Sequence, residues 1–139
     1  MSVTARDKEL IQESFTQLAP RTERVAELFY DRLFELDPDL RPLFPADMRQ
    51  QGRKLIQTLA VVVLGLDHFE RMVPVLQDLG RRHVDYGAVP HHYALVETAL
   101  LWTLEQTLGE EFTAEARGAW TSVYGLLAST MQSALPERV

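Results

Sequence analysis

The sequence lacks cysteine altogether, which excludes disulfide scaffolds, thiolate zinc sites, iron–sulfur clusters and thiol catalysis. It also lacks a long hydrophobic run. The longest such run, residues 59–66, is far shorter than the roughly 20 apolar residues of a membrane-spanning helix. Residues 6–9 are all charged, where a signal peptide would need an apolar stretch. We therefore expect a cytoplasmic protein without a membrane partner.

Positive charge is scarce, because 14 Lys and Arg residues stand against 20 Asp and Glu residues, for a formal net charge of −6. This balance argues against nucleic acid as a partner. The sequence contains neither a Gly-x-Gly-x-x-Gly nor a Gly-x-x-x-x-Gly-Lys motif for phosphate binding, and neither Glu-x-x-His nor His-Glu-x-x-His for metal binding. A length of 139 residues with 46% hydrophobic content indicates one globular domain, residues 1–139.

Prolines and helix-capping residues divide the chain into an all-α pattern. Residues 60–64 have strand propensity, but they continue a helical period that begins at Leu55 and have no partner strand. Pro74 marks the first turn of the fourth helix or a break in it, and Gly87 ends that helix. A short helical turn follows Asp37-Pro38, and a corner occupies residues 44–48. The long helices are predicted at about 4–19, 20–36, 49–64, 68–86, 90–108 and 113–134.

Histidine is the first candidate for chemistry. Among the four histidines, His68, His91 and His92 fall at predicted helix starts, where a polar side chain is ordinary. His83 instead shares a helix face with Leu79. An imidazole on an apolar stripe is unfavourable unless it is hydrogen-bonded or ligated. The spacing leaves both readings open for His83, a hydrogen-bonded core histidine or a metal ligand.

Three further side chains share this ambiguity. Tyr30 lies next to the inward stripe of the second helix, and Phe44 lies in the proline-bounded corner. Gln51 precedes Leu55 by four residues, so its amide is expected on the inner side of its helix. Taken singly, they also fit a core aromatic, a packing plug and a surface amide.

The order and spacing of these residues resemble the bacterial single-domain globins, which are similar to the haem domain of flavohaemoglobins and to neuroglobin. The resemblance covers essentially the whole chain. It implies a globin fold, a three-on-three helical sandwich around haem b (iron protoporphyrin IX). The residues that carry it are Phe29-Tyr30-x-x-Leu33-Phe34, Asp37-Pro38, Arg41-Pro42-Leu43-Phe44, Gln51, Leu79-Gly80-x-x-His83-x-x-x-Gly87, His92-Tyr93 and Ala119-Trp120-x-x-x-Tyr124-Gly125.

The resemblance also implies a role for individual residues around the haem. His83 becomes the proximal iron ligand. The other cofactor-binding residues are Tyr30 and Gln51 on the distal side, Leu55 above the open iron position, Phe44 against the porphyrin, Lys54 or Arg53 at a propionate, and Leu79 and Tyr93 on the proximal side.

One departure from the flavohaemoglobin pattern bears on reactivity. There a glutamate near the end of the last helix hydrogen-bonds the proximal histidine, whereas residues 132–135 contain no carboxylate here. His83 is therefore expected to donate to a backbone carbonyl one turn back, near Leu79. Without the glutamate, peroxidase-like activation is weakened and reversible ligand binding is favoured.

The implied function is reversible, high-affinity binding of dioxygen, and also of nitric oxide and carbon monoxide. Tyr30 and Gln51 would be the catalytic residues if dioxygen reacted with nitric oxide. Because the sequence has no nucleotide-binding glycine motif before it ends at Val139, that reaction is expected to need an unidentified external reductase. A haem-based gas sensor and a haem-free helical interaction module remain the alternatives.

Overall fold

The computed structural model describes residues 3–85 and 90–133, and every regular element in those two ranges is helical. This confirms the all-α prediction, including the helical assignment of residues 60–64. Within this part of the chain, no helix has both the length and the apolar character that crossing a membrane requires. The six α-helices are α1 (Ala5–Leu18), α2 (Thr22–Leu36), α3 (Met48–Leu64), α4 (Phe69–Asp85), α5 (Pro90–Leu108) and α6 (Ala114–Ser133).

Local capping explains where these helices begin. The Thr4 hydroxyl accepts a hydrogen bond from the Asp7 backbone N–H at 3.0 Å, and the Asp7 carboxylate accepts one from the Thr4 N–H at 3.1 Å. This capping box satisfies two N–H groups that have no partner within the helix. Asp47 caps α3 by accepting from the Arg49 N–H at 3.1 Å. The helix bounds therefore agree with the predicted ones to within about two residues.

The prediction for Pro74 is wrong. α4 begins at Phe69 and continues without a break through Pro74, which places the proline in the second turn. Proline removes one N–H bond, here the one to the Glu70 carbonyl. Because Pro74 is exposed, water can satisfy that carbonyl, and the helix tolerates the proline. The predicted end of this helix at Gly87 lies outside the described residues.

The helices pack mainly in two sets, which contacts of α5 with α6 and of α1 with α3 join. α2 packs against α3 and α5, whereas α1 and α4 pack against α6. Over the described residues α3 and α4 scarcely contact each other, although only a 3₁₀ turn, Leu66–His68, joins them. Leu66 is buried and anchors that turn in the core. The two helices are therefore held by different neighbours. The most deeply buried large side chains of the core are Ile11, Val25, Leu33, Leu104 and Val123.

Candidate functional site

Tyr30 of α2 and Gln51 of α3 form a polar pair beside the core. Tyr30 is buried, with 7% of its surface exposed, and Gln51 is half-buried. The Gln51 Nε2 donates to the Tyr30 hydroxyl oxygen at 3.2 Å, which places the amide on the inner side of α3, as predicted. Because the phenolic oxygen accepts in this bond, its own proton is not used there and can be donated to another acceptor.

A close helix crossing brings this pair together. A Cβ placed on Gly52 would lie 2.9 Å from the Cβ of Ala26, which is tighter than ordinary carbon–carbon contact. Gln51 directly precedes the glycine, and Tyr30 lies about one helical turn beyond Ala26. The small residues at the crossing therefore let α2 and α3 approach closely enough for an amide and a phenol to meet.

The environment of Tyr30 keeps its phenol protonated. Burial raises the pKa of Tyr30 above its ordinary value of 10.0, and the hydrogen bond from Gln51 offsets part of that rise. At neutral pH the hydroxyl is therefore a hydrogen-bond donor and carries no charge.

Three phenylalanine rings fix the Tyr30 ring. The Phe29 ring meets it edge-on at a centroid distance of 4.9 Å, and Phe44 does so at 5.4 Å. Phe34 stacks on Tyr30 at 6.0 Å and meets Phe44 edge-on at 5.4 Å. Such ring pairs have a preferred geometry and contribute beyond their buried area. The corner residue Phe44 is thus coupled to Tyr30 directly and through Phe34.

His83 of α4 is half-buried, and a backbone contact orients its ring. Its Nδ1 lies 2.7 Å from the Leu79 carbonyl oxygen. Because a carbonyl only accepts, Nδ1 carries the proton, and the neutral ring then has its lone pair on Nε2. This confirms the predicted bond one turn back. The ring is set in the tautomer with which imidazole ligates iron.

The position of α4, and so of His83, depends on a second close approach. A Cβ placed on Gly80 would overlap the Met131 carbonyl of α6. The Gln77 amide also donates to the Ser133 hydroxyl at 3.3 Å. The backbone of α4 is therefore seated directly on that of α6, three residues before the histidine.

Two tyrosines lie near the α5–α6 contact. The Tyr124 hydroxyl donates to the Tyr93 backbone carbonyl at 2.6 Å. The Tyr93 hydroxyl is itself buried and has no hydrogen-bond partner among the described residues, which is uncommon for a buried polar atom. Burial raises the pKa of both phenols, and the Glu97 carboxylate raises that of Tyr124 further.

The other predicted cofactor-binding side chains of α3 and α4 lie either against the core or on the surface. Leu55 and Leu79 are half-buried and pack against the core. Lys54 and Arg53 are exposed on α3, and neither joins an ion pair within the described part of the chain. Their proposed reach to a propionate therefore remains a prediction.

The other histidines do not build a second metal centre. His68 and His91 are exposed and His92 is half-buried, at helix starts as predicted. Across residues 3–85 and 90–133, no three or more His, Cys, Asp or Glu side chains are grouped so that they could hold a metal ion.

These features fit a haem group. α4 supplies an imidazole in the ligating tautomer, while α2 and α3 supply a hydroxyl and an amide. The polar pair is thus carried by α2 and α3 and the imidazole by α4, and α3 and α4 scarcely contact each other over the described residues. The buried Tyr93 hydroxyl is a further polar atom that a bound group could satisfy.

Sequence reasoning did not assign a role to Gly52, Gly80 or Phe34. Glycine inside a helix is unfavourable by about 1 kcal/mol relative to alanine, so a helical glycine is a candidate for close packing, as at Gly52 and Gly80 but not at Gly118. Phe34 belongs to the motif that carries the family resemblance, but the ring geometry around Tyr30 depends on the fold of the corner.

Comparison with known families and sequences identifies relatives over most of the chain. The family model described as Globin matches residues 27–131. The chain is 29% identical to a neuroglobin of Tetraodon nigroviridis, covering 93% of this chain and 90% of that protein. It is 28% identical to a flavohemoprotein of Rhizobium meliloti, covering 98% of this chain and 35% of that protein. The chain thus spans about a third of the length of that flavohemoprotein. Together these matches support gas binding at a haem as the general function.

Solved structures with the same architecture are bacterial and animal proteins. A bacterial globin of Campylobacter jejuni superposes with a TM-score of 0.83 at 21% identity, covering 94% of this chain and 95% of that one. A hexacoordinated haem protein of a tardigrade gives 0.85 at 19% identity, covering 94% of each chain. An engineered carbene transferase derived from a putative nitric oxide dioxygenase of Rhodothermus marinus gives 0.84 at 23% identity, covering 95% and 92%. These likenesses confirm the predicted fold class.

Proposed function

The chain belongs to the globin family, and we propose that it binds haem b (iron protoporphyrin IX) through His83 and holds dioxygen reversibly and tightly. Nitric oxide and carbon monoxide are the other expected ligands. When bound, the haem iron supplies an open coordination position for a diatomic gas. The chain's residues then decide how firmly each gas is kept.

The observation that carries this proposal is the hydrogen bond from the Gln51 amide to the Tyr30 hydroxyl. It orients the phenol and leaves the phenolic proton for the gas ligand. Dioxygen in a globin gains partial negative charge and accepts hydrogen bonds, whereas carbon monoxide accepts them poorly. A hydrogen bond to a charged group contributes about 1.5–3 kcal/mol, which corresponds to a roughly ten- to hundredfold slower release of dioxygen.

The proximal side favours reversible binding over peroxidase-like chemistry. His83 donates to the Leu79 carbonyl, a neutral acceptor that leaves the imidazole less electron-rich than a carboxylate would. We place Tyr93 on the same side. Leu55 and Phe44 would pack against the porphyrin, and Lys54 or Arg53 would pair with a propionate.

Haem ligation by His83 is tested by optical spectroscopy of the wild type and of His83→Ala, each supplied with haemin. We expect the wild type to show an intense absorption band near the blue edge of the visible range, and His83→Ala to weaken or shift it. His68→Ala is the matched control, because His68 is exposed on the turn between α3 and α4. A wild type that stays colourless would refute haem binding and would favour the haem-free helical module.

The role of the distal pair is tested by stopped-flow release of dioxygen. Tyr30→Phe removes the donor and keeps the ring, so we expect release about ten- to hundredfold faster than in the wild type. Tyr124→Phe is the matched control, since that phenol bonds a backbone carbonyl instead. Equal release rates in the wild type and Tyr30→Phe would contradict the proposed mechanism.

A second candidate function is dioxygenation of nitric oxide, with Tyr30 and Gln51 orienting the dioxygen. Phe29, whose ring meets that of Tyr30, and Val62 of α3 are almost fully buried, with 3% and 4% of their surfaces exposed. With Leu55 they offer apolar surroundings to a small neutral gas. Overall, nitric oxide, dioxygen and one electron give nitrate, so repeated turnover requires an external reductase.

This second function predicts nitrate when the oxygenated protein is mixed with nitric oxide. We expect one nitrate per dioxygen bound, because each nitrate retains both oxygen atoms. Recovery of both gases unchanged would rule it out and leave reversible binding as the function.

A further inference from the structure

Arg41 donates hydrogen bonds to backbone carbonyls at the corner between α2 and α3. It is half-buried in the Pro38–Leu43 turn. Its Nη1 donates to the Phe44 carbonyl at 3.3 Å and to the Pro45 carbonyl at 3.1 Å. Within the described part of the chain it forms no ion pair with a carboxylate.

Two carbonyls at this corner receive no hydrogen bond from the helices that flank it. The Phe44 N–H already bonds the Arg41 carbonyl at 3.1 Å, and Pro45 has no N–H to offer. α3 does not begin until Met48, so the carbonyls of Phe44 and Pro45 receive no helical hydrogen bond. The arginine supplies a bond to each and closes the turn on itself.

The same guanidinium also covers the rings that hold Tyr30. Its central carbon lies 5.5 Å from the centroid of the Phe34 ring, a cation–π distance. Phe34 and Phe44 in turn flank the Tyr30 ring at 6.0 Å and 5.4 Å. A continuous set of contacts therefore runs from Arg41 to the phenol that Gln51 bonds.

We propose that Arg41 is a positioning residue of the distal side: by closing the corner on Phe44 and covering Phe34, it sets the place of the Tyr30 hydroxyl and so the preference for dioxygen over carbon monoxide. This inference rests on the proposed function. Arg41 acts only through other residues, and it does not touch the gas.

Lysine can replace the arginine only in part. The guanidinium is planar, so it can lie over a ring while its N–H groups reach two carbonyls. A lysine ammonium keeps the charge but is a compact, strongly hydrated group without a planar face. The effect of Arg41 on the preference for dioxygen should therefore depend on the shape of its side chain as well as on its charge.

The test compares Arg41→Met and Arg41→Lys with the wild type in the haem-loaded protein. We expect Arg41→Met to release dioxygen about tenfold faster, equivalent to about 1.4 kcal/mol, with little change in the release of carbon monoxide. Arg41→Lys should fall between the two. The control is Arg24→Met, because Arg24 is an exposed α2 residue whose ion pair is with Glu27 at 3.3 Å.

A second measurement needs no gas. Amide hydrogen exchange in residues 44–48 of the haem-free chain should accelerate in Arg41→Met and not in Arg24→Met, because the corner loses its closing bonds. Faster exchange there, together with selective loss of dioxygen, supports the proposal.

The proposal is overturned if dioxygen and carbon monoxide release rise by the same factor, since a purely structural role would loosen both alike. Unchanged dioxygen release in Arg41→Met also overturns it. Failure of the proposed function looks different, because then the wild type itself takes up no haem.

Discussion

The two sides of the candidate site are built by different means. On the distal side, side chains hold one another: an amide bonds the Tyr30 phenol, and three rings enclose it. On the proximal side, contacts with backbone atoms fix the histidine and its helix. His83 bonds a carbonyl one turn back, and Gly80 seats α4 on the Met131 carbonyl.

This difference separates two properties of the protein. Distal substitutions should change which gas is kept and for how long, with modest effect on folding. Proximal substitutions at the helix contact should change stability and haem retention and leave gas selectivity nearly alone. Substitutions on each side test that separation.

The largest effect is expected from Gly80→Ala. The new Cβ would overlap backbone atoms of Met131, which no rotamer change can relieve, so α4 must shift on α6. We expect the free energy of unfolding to fall by about 1–3 kcal/mol, measured by urea denaturation, with faster haem loss.

Gly118→Ala is the matched control for this change. Gly118 is also helical, on α6, and a Cβ there meets no atom within 4 Å. It should stabilise the protein slightly, since alanine is favoured over glycine in helices by about 0.5–1 kcal/mol. If Gly80→Ala behaved like Gly118→Ala, the backbone account of the proximal side would be wrong.

The next largest expected effect is that of Gln51→Glu on the rate of dioxygen release. A carboxylate only accepts hydrogen bonds. The Tyr30 hydroxyl would therefore donate its hydrogen bond to the new carboxylate and not to the gas. We expect dioxygen release at least about tenfold faster than in the wild type, and faster than in Gln51→Leu. Stability should change little.

The neighbouring substitution Gln50→Glu controls for added charge, because Gln50 is exposed on the same helix turn. Similar release from Gln50→Glu and Gln51→Glu would indicate a general charge effect. The Tyr30 proton would then not be what retains the gas.

The smallest effect appears only at alkaline pH. Burial raises the pKa of Tyr30 above its ordinary value of 10.0, so above that pH the unfolded chain releases a proton that the folded chain keeps. Stability is therefore fully present below pH 10.0 and declines as pH rises towards the folded pKa.

Urea denaturation across that range compares the wild type with Tyr30→Phe and, from the α5–α6 contact, Tyr124→Phe. Each substitution should make the decline shallower, because burial also raises the pKa of Tyr124. An unchanged slope in Tyr30→Phe would show that the phenol is not buried as described.

Sequence reasoning succeeded where the physics is local. The first helix begins within one residue of its predicted start, because the Thr4 hydroxyl and the third N–H beyond it are near neighbours and form a cap. The bond from His83 to the Leu79 carbonyl follows from the helix repeat alone. These features need no knowledge of how helices pack.

Sequence reasoning fell short where distant segments meet. The contact of Gly80 with Met131 and that of Gly52 with Ala26 depend on tertiary approach, which periodicity does not encode. The prediction for Pro74 is wrong because a helix tolerates an internal proline where that position is exposed to water. The residue types identify the candidate site residues in the sequence, but the packing of the fold determines which residues they contact.

The crossing of Gly52 and Ala26 has an evolutionary consequence. Neither residue carries a group that could recognise a gas, yet the Tyr30–Gln51 contact requires both to stay small. A lineage that enlarged either one would drive the two helices apart and lose the hydroxyl–amide pair while retaining both of its residues. Among relatives, the presence of the tyrosine and the glutamine is therefore a poor guide to slow oxygen release unless these two small positions are inherited with them.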